Sequence, residues 1–275
     1  MTEHRLYVGS ADEELIKIHD NSIQLIVTSP PYWNARDYGN PKQIGFKNKY
    51  EKYLITMGVV LKECIRVLLP DGKIALNIGN IYNYENNEKR VYTVNLIFDL
   101  LKILSNYKEL RFMGTIYWKK TTSRNGAVLF GSYPYPSNFM ISTALEAIHI
   151  FRKIGKRKIS KEIKENSIIS KEEFREFREP IWHLNGISKK DHPAVFPNEL
   201  VYRLIKMYSF YGDTVLDPFC GIGTTNLKAL KLNRNSIGID IKKEYISKAV
   251  LSLSKADKQV SILIFYKNKV KKYEQ

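Results

Sequence analysis

Two short segments hold residue types from which a reaction site could be built. Residues 28–33 read Thr-Ser-Pro-Pro-Tyr-Trp. The Ser29 hydroxyl and the Pro30 carbonyl are hydrogen-bond acceptors, on a loop stiffened by two consecutive prolines that lack N–H groups of their own. Tyr32 offers a flat face on which a planar ring can stack, an interaction worth about 1–3 kcal/mol. Trp33 either stacks beside it or plugs the core. Residues 217–225 read Asp-Pro-Phe-Cys-Gly-Ile-Gly-Thr-Thr. Gly221 and Gly223 let the backbone pass close to a ligand, and the free N–H groups of a helix beginning at Thr224 attract polar or anionic groups. Asp240 follows Gly221 by about 20 residues, the distance at which an acid reaches ribose hydroxyls in nucleotide-type folds. The third glycine of dinucleotide binders and the Gly-Lys-Ser/Thr of nucleotide triphosphatases are both missing.

Each segment needs a strand to deliver it. Ile23–Thr28 is a mostly apolar run that stops where proline forbids further pairing, as a buried parallel strand would. Tyr53, Leu54, Met57, Leu61, Cys64, Ile65 and Leu68 recur every three or four residues, which predicts an amphipathic helix closed by Pro70-Asp71-Gly72. A strand over 73–77, a helix over 96–104 and a strand over 112–118 follow. After residue 199 the rhythm returns, with helices over 199–207, 224–232 and 244–253 and strands over 214–216, 236–239 and 260–266. Strands alternating with helices predict a doubly wound, mostly parallel α/β sheet. Between the two halves, residues 152–191 break the rhythm with Lys156-Arg157-Lys158, Lys161, Lys164, Arg175 and Arg178 among glutamates. This stretch reads as an inserted, partly helical module within one domain spanning residues 1–275.

The chain has 275 residues, 44% of them apolar, enough for a full α/β core, and carries a formal charge of +16. Such a surplus is most simply read as complementing a polyanion. Cys64 and Cys220 form neither a metal-type pair nor a disulfide framework, so a reducing compartment and no metal are expected. The apolar run from Tyr53 to Leu61 is too short to span a bilayer, and the polar N-terminus shows no signal peptide. A cytoplasmic protein is expected, with no role for a membrane.

Both segments resemble known motifs. Asp-Pro-Phe-x-Gly-x-Gly-Thr-Thr is similar to the S-adenosylmethionine motif of amino-methylating DNA methyltransferases, and Thr28-Ser29-Pro30-Pro31-Tyr32-Trp33 resembles their catalytic signature. The segment His192-Pro193-Ala194-Val195-Phe196-Pro197 resembles a third. Trp118-Lys119-Lys120, Phe130-Gly131-Ser132 with Pro134 and Pro136, and Glu146–Arg152 resemble the segments between. The catalytic motif precedes the cofactor motif, the circularly permuted order of the β class. The resemblance implies that Asp217 holds the methionine amino group. It places Gly221, Gly223, Thr224, Pro218 and Phe196 around the methionine, with Thr28 close by and Phe219 packed on the cofactor. Asp240 would bind the ribose. Two departures stand out: Ile222 where serine is usual, and Ser10 where an acid usually follows the glycine.

The family's chemistry accounts for the residue types. An exocyclic amine on a base is a poor nucleophile because its lone pair is delocalised. Ser29 and the Pro30 carbonyl can draw its hydrogens so that the lone pair faces the sulfonium methyl, while Tyr32 stacks on a base swung out of the duplex. Double-stranded DNA would lie across the carboxyl ends of the strands, read by the 152–191 insert through Lys156, Arg157 and Lys158 with Trp33 nearby. Loops 34–50 and 121–138 would share that task. Ser-Pro-Pro-Tyr is usual for cytosine-N4 enzymes of restriction–modification systems, implying a prokaryotic setting and a cognate restriction endonuclease as genetic partner. Adenine-N6 methylation and a catalytically dead DNA-binding protein are the alternatives. Cytosine-C5 chemistry needs a Pro-Cys nucleophile, and zinc deamination a Cys-x-x-Cys pair; the chain has neither.

Overall fold

The computed structural model describes residues 2–85, 90–120, 132, 134–139, 141, 145–185, 187–189, 192–266 and 269–273, with backbone alone at 85, 90, 120, 187–189 and 192–195. Phe130, Gly131, Lys267 and most of loop 121–138 lie outside the described residues, as do the side chains of His192 to Val195. The first half runs β1 (Glu3–Val8), α1 (Ala11–Glu14), β2 (Ile23–Thr28), α2 (Tyr50–Val67), β3 (Leu68–Ile78), β4 (Ile81–Glu85), β5 (Arg90–Val94), α3 (Leu96–Ser105) and β6 (Leu110–Lys120). The middle holds β7 (Leu145–Lys153), α4 (Lys161–Glu165), α5 (Lys171–Phe177), β8 (Ile181–Leu184), β9 (Ile187–Lys189) and β10 (His192–Val195). The last third holds α6 (Asn198–Tyr208), β11 (Thr214–Asp217), α7 (Thr224–Lys231), β12 (Asn235–Asp240), α8 (Lys243–Ala256), β13 (Ser261–Tyr266) and β14 (Lys269–Lys272).

Among the described residues, ten strands form one sheet in the order β14-β13-β1-β12-β11-β2-β3-β7-β6-β8. The six from β13 to β3 are mutually parallel, while β14 and β7 run against their neighbours. Strand alternation explains the layers. Ile26, Ile74 and Leu76 point to one face, covered by α2 and α3 through Met57, Leu61, Ile65, Leu96 and Leu100. Leu25, Val27, Ala75 and Val215 point to the other, covered by α6 and α7 through Leu200, Leu204 and Ala229. Helix α8 covers β1 through Ala249, Val250 and Leu253 against Leu6. Burial on both faces is why these strands read as continuous apolar runs.

Two expectations change. Strand β3 begins at Leu68 rather than Lys73 and passes through Pro70-Asp71-Gly72, where its register against β2 shifts. Proline is tolerated there because the ladder is already interrupted. The 152–191 stretch does not stand apart as a module. Strand β8 joins the sheet edge beside β6, and Trp182 is fully buried with its indole N–H on the Phe177 carbonyl. Helix α5 is clamped to α6: Lys206 and Tyr202 both reach Glu173, and Arg203 reaches Glu176 and lies over the Trp182 ring.

The basic triplet sits at the end of the sheet opposite the Ser-Pro-Pro-Tyr loop. Arg157 makes a two-pronged pair with Asp213 at 2.8 and 2.6 Å and lies over the Phe210 ring. Asp213 immediately precedes β11, so Lys156, Arg157 and Lys158 lie at the amino ends of the parallel strands. Of these three residues, expected to contact DNA, Arg157 is engaged in an internal structural pair. Arg157→Ala is expected to lower the unfolding free energy by about 3 kcal/mol, the order for leaving half of a buried pair unpaired. It should leave the salt slope of DNA binding unchanged, since no phosphate contact is lost. Urea melts and binding titrations at several salt concentrations check the two outcomes.

Candidate active site

Adjacent parallel strands bring the two chemical segments together. Strand β11 pairs with β2 at Val215–Leu25 and Leu216–Ile26, so the chain leaves the sheet at Asp217 beside Thr28. Their carboxyl ends open onto a cavity of about 600 Å³. Ser29, Pro30, Pro31 and Tyr32 line one side of it. Asp217, Pro218, Phe219, Gly221, Thr224 and Asp240 line the other, with Phe196 between. Thr28 and Gly223 lie behind the wall rather than on it.

The glycine loop is shaped by two left-handed residues, Gly221 at φ 52° and Gly223 at φ 79°. A Cβ on Gly223 would meet the Ala249 Cβ at 2.6 Å, so α7 can approach α8 only through glycine. Asp217 is buried and accepts hydrogen bonds from the Thr225 hydroxyl (2.7 Å) and the Phe219 N–H (3.1 Å). Asp240 accepts from the N–H groups of Gly221 (3.0 Å) and Lys242 (2.8 Å). Burial pushes both carboxyls up from the usual 3.8 to about 6, outweighing those hydrogen bonds. The buried Thr28 Oγ1 is near enough to lower the pKa of Asp217, yet no ordinary hydrogen bond joins them.

Around the Ser-Pro-Pro-Tyr loop the ring of Tyr32 is partly accessible, while its hydroxyl sits deep beside Ser29, Gly79 and Glu146. Burial, and then the charge of Glu146, push its phenol well above the usual tyrosine range, so it stays neutral. Trp33 faces away from the cavity. Its indole N–H donates to the Asn48 carbonyl at 2.8 Å and its ring packs on Tyr50, so it packs against the edge of the core, the second of the two roles its sequence position left open. Burial pushes the Cys64 thiol up to about 12 and that of Cys220 well above the ordinary thiol range, so neither is a ready nucleophile.

Sequence reasoning missed Asn77 and Glu146, which line the cavity beside Ser29. Asn77 is one residue from the end of β3, and the carboxyl end of a parallel strand was the available signal. Glu146 is the second residue of the antiparallel strand β7, whose start reaches the same end of the sheet, and strand direction cannot be read from periodicity. Loop 34–49 also folds over the cavity, with Tyr38 and Arg36 on its wall; the Gln43 amide holds the Tyr38 N–H (2.7 Å) and the Arg36 carbonyl (2.9 Å).

The DNA methylase (N6_N4_Mtase) family profile matches residues 23–251. The chain belongs to this family. The methylase is 34% identical to the Type II methyltransferase M.MjaI of Methanocaldococcus jannaschii, over 88% of each chain. It is 31% identical to M.HpaI of Haemophilus parainfluenzae, over 90% of this chain and 73% of that one. Protein TTHA0409 of Thermus thermophilus, solved with S-adenosylmethionine, superposes with a TM-score of 0.79 at 30% identity, covering 97% of this chain and 99% of that one. The cytosine-N4-specific PvuII DNA methyltransferase shares the fold at 20% identity, with a TM-score of 0.68 over 92% of this chain and 86% of that one.

S-adenosylmethionine is the cofactor, and the cavity fits it. Its sulfonium and ammonium cations suit a site walled by Asp217 and Asp240, its ribose hydroxyls have carboxylate acceptors, and the two left-handed glycines leave the loop open for close approach. The same carboxyls make a prediction without ligand. The pKa of Asp217 in the folded protein, about 6, lies above its usual 3.8, so its contribution to stability is full below pH 3.8 and is lost as pH rises through 6. Asp217→Asn should therefore be stabilised relative to wild type by about 1–2 kcal/mol more at pH 7.5 than at pH 5. Urea melts of the ligand-free proteins at both pH values check this; an equal difference at the two values contradicts it.

Proposed function

We propose that the methylase transfers a methyl group from S-adenosylmethionine to N4 of cytosine within a short recognition sequence of double-stranded DNA. Ser29 at the head of the catalytic loop carries this reading: a neutral hydroxyl stands where adenine-N6 enzymes usually have an acid. When bound, the cofactor supplies an electrophilic methyl on a sulfonium. The chain's own contribution is to place the amine. Ser29 Oγ and the Pro30 carbonyl accept its hydrogens, Tyr32 stacks on the base, and Asp217 and Asp240 hold the methionine amino group and the ribose. Holding two reactants at near-attack geometry is worth on the order of 7–11 kcal/mol. A base inside a duplex cannot reach the floor of this cavity, so the target is swung out of the stack.

The double-stranded target would cross the carboxyl ends of the strands, flanked by two hairpins, β4–β5 and β9–β10, that leave the sheet there. The names of the Type II relatives favour a restriction–modification setting, with a cognate endonuclease as genetic partner. Nucleoside mass spectrometry of DNA treated with the pure protein should show N4-methylcytosine; N6-methyladenine as the main product overturns the target atom and leaves the family standing. Asp240→Ala should weaken cofactor binding by about 1–3 kcal/mol through unpaired ribose hydroxyls. Calorimetric titration measures it, and an unchanged dissociation constant in a folded variant removes that role.

A further inference from the structure

Next to Ser29 the cavity wall holds a second group of polar atoms. Asn77 is 1% exposed and its Nδ2 serves two acceptors, Glu146 Oε2 at 2.6 Å and Ser29 Oγ at 3.4 Å. That orients the amide, and its Oδ1 is left buried without a hydrogen-bond partner in the described structure. Asn77, Ser29, Tyr32 and Glu146 all line the same cavity. Counting the Pro30 carbonyl, the loop's end of the cavity presents an unusual excess of acceptors over donors. Such a site suits a ligand group that donates hydrogens and becomes more positive as it reacts.

An exocyclic amine undergoing methylation is such a group. We propose that Glu146 is a catalytic residue whose carboxylate stabilises the charge developing on the amine nitrogen and receives the proton it sheds. The nitrogen lone pair forms the bond to the methyl carbon while the carbon–sulfur bond breaks, its electron pair going to sulfur and cancelling the sulfonium charge. The nitrogen, now cationic with two hydrogens and the new methyl, returns to neutrality by passing one proton to Glu146, which releases it to solvent. Ser29 is too weak a base to keep that proton, and Tyr32, held neutral, cannot accept it. The groups facing Glu146 fit the role: Asn77 from β3 donates to it, Tyr32 from the catalytic loop is uncharged, and Trp118 is opposite it on β6. Asp217 and Asp240 share the cavity and are engaged on the glycine-loop side. A preorganised charge aimed at the reacting atom in a water-poor site is among the larger contributions an enzyme can make.

This inference rests on the amino-methylation reading, and its test separates the two. Glu146→Gln keeps the shape and the Asn77 hydrogen bond and removes only the charge. With enzyme in excess over DNA and S-adenosylmethionine saturating, single-turnover methyl transfer should fall at least ten-fold in Glu146→Gln. Cofactor and DNA dissociation constants should stay within two-fold of wild type, and the Tm should be unchanged. Glu146→Asp, which keeps the charge on a shorter stem, should recover part of the lost rate. A Glu146→Gln rate within two-fold of wild type overturns the proposal. So does a loss matched by weaker cofactor binding or a lower Tm, or a Glu146→Asp variant no faster than Glu146→Gln. If wild-type protein methylates no exocyclic amine at all, the functional reading itself falls, and the nucleoside analysis reports that separately.

Discussion

The pairing of β2 with β11 is the contact on which the site depends. Leu25 and Ile26 lie beside Val215 and Leu216 in the middle of the sheet, although some 190 residues of chain separate them. Because the two strands are parallel, both chains leave the sheet at the same end and at nearly the same level. One delivers Ser29, Pro30 and Tyr32, the other Asp217 and the glycine loop. Parallel pairing requires cover on both faces, so α2 and α3 on one side and α6 and α7 on the other are conditions of the site as well as of stability. A slip of one residue would turn Leu25 and Val215, which now share a face, to opposite faces.

Charge is divided between the two ends of this sheet. At the carboxyl ends, acids are kept from water: Asp217 and Asp240 are held by N–H and hydroxyl donors and lifted to about 6 by burial. That environment is costly for the empty protein and suits a cationic ligand. At the amino ends, cations serve the fold. Arg157 grips Asp213, and Lys153 Nζ donates to the Ile65 and Leu68 carbonyls at the end of α2, at 2.8 and 2.7 Å. Arg66 does the same for the Leu15 and Ile18 carbonyls. A net charge of +16 is thus a poor map of where a polyanion binds, because part of the surplus is spent on internal carbonyls and carboxylates.

The sheet strands with strong apolar runs were legible within a few residues, since fully buried strands leave little room for polar side chains. Helices α2, α3, α6, α7 and α8 were legible from their three- and four-residue spacing. The edges were not. Strand β8 has only four residues, and its membership depends on Trp182 finding a slot under α6, a fact about partners and not about its own pattern. The same limit hid the role of residues 154–180, whose alternating charges look like a solvated surface but include Glu173, paired with Lys206, and Glu176, paired with Arg203.

The amino-acid sequence by itself determined the fold class, the glycine-rich loop and the Ser-Pro-Pro-Tyr loop. Each is local: consecutive prolines, paired glycines and apolar periodicity constrain the chain over a few residues and need no distant partner. Tertiary structure alone decided what each remaining polar side chain faces. It turned Trp33 into the core and carried the Lys156–Lys158 triplet to the far end of the sheet. It also brought Asn77 and Glu146, 69 positions apart, into one hydrogen bond beside Ser29. The reason is that strand order and direction are settled by which faces can be buried together, and only then does a side chain acquire its neighbours.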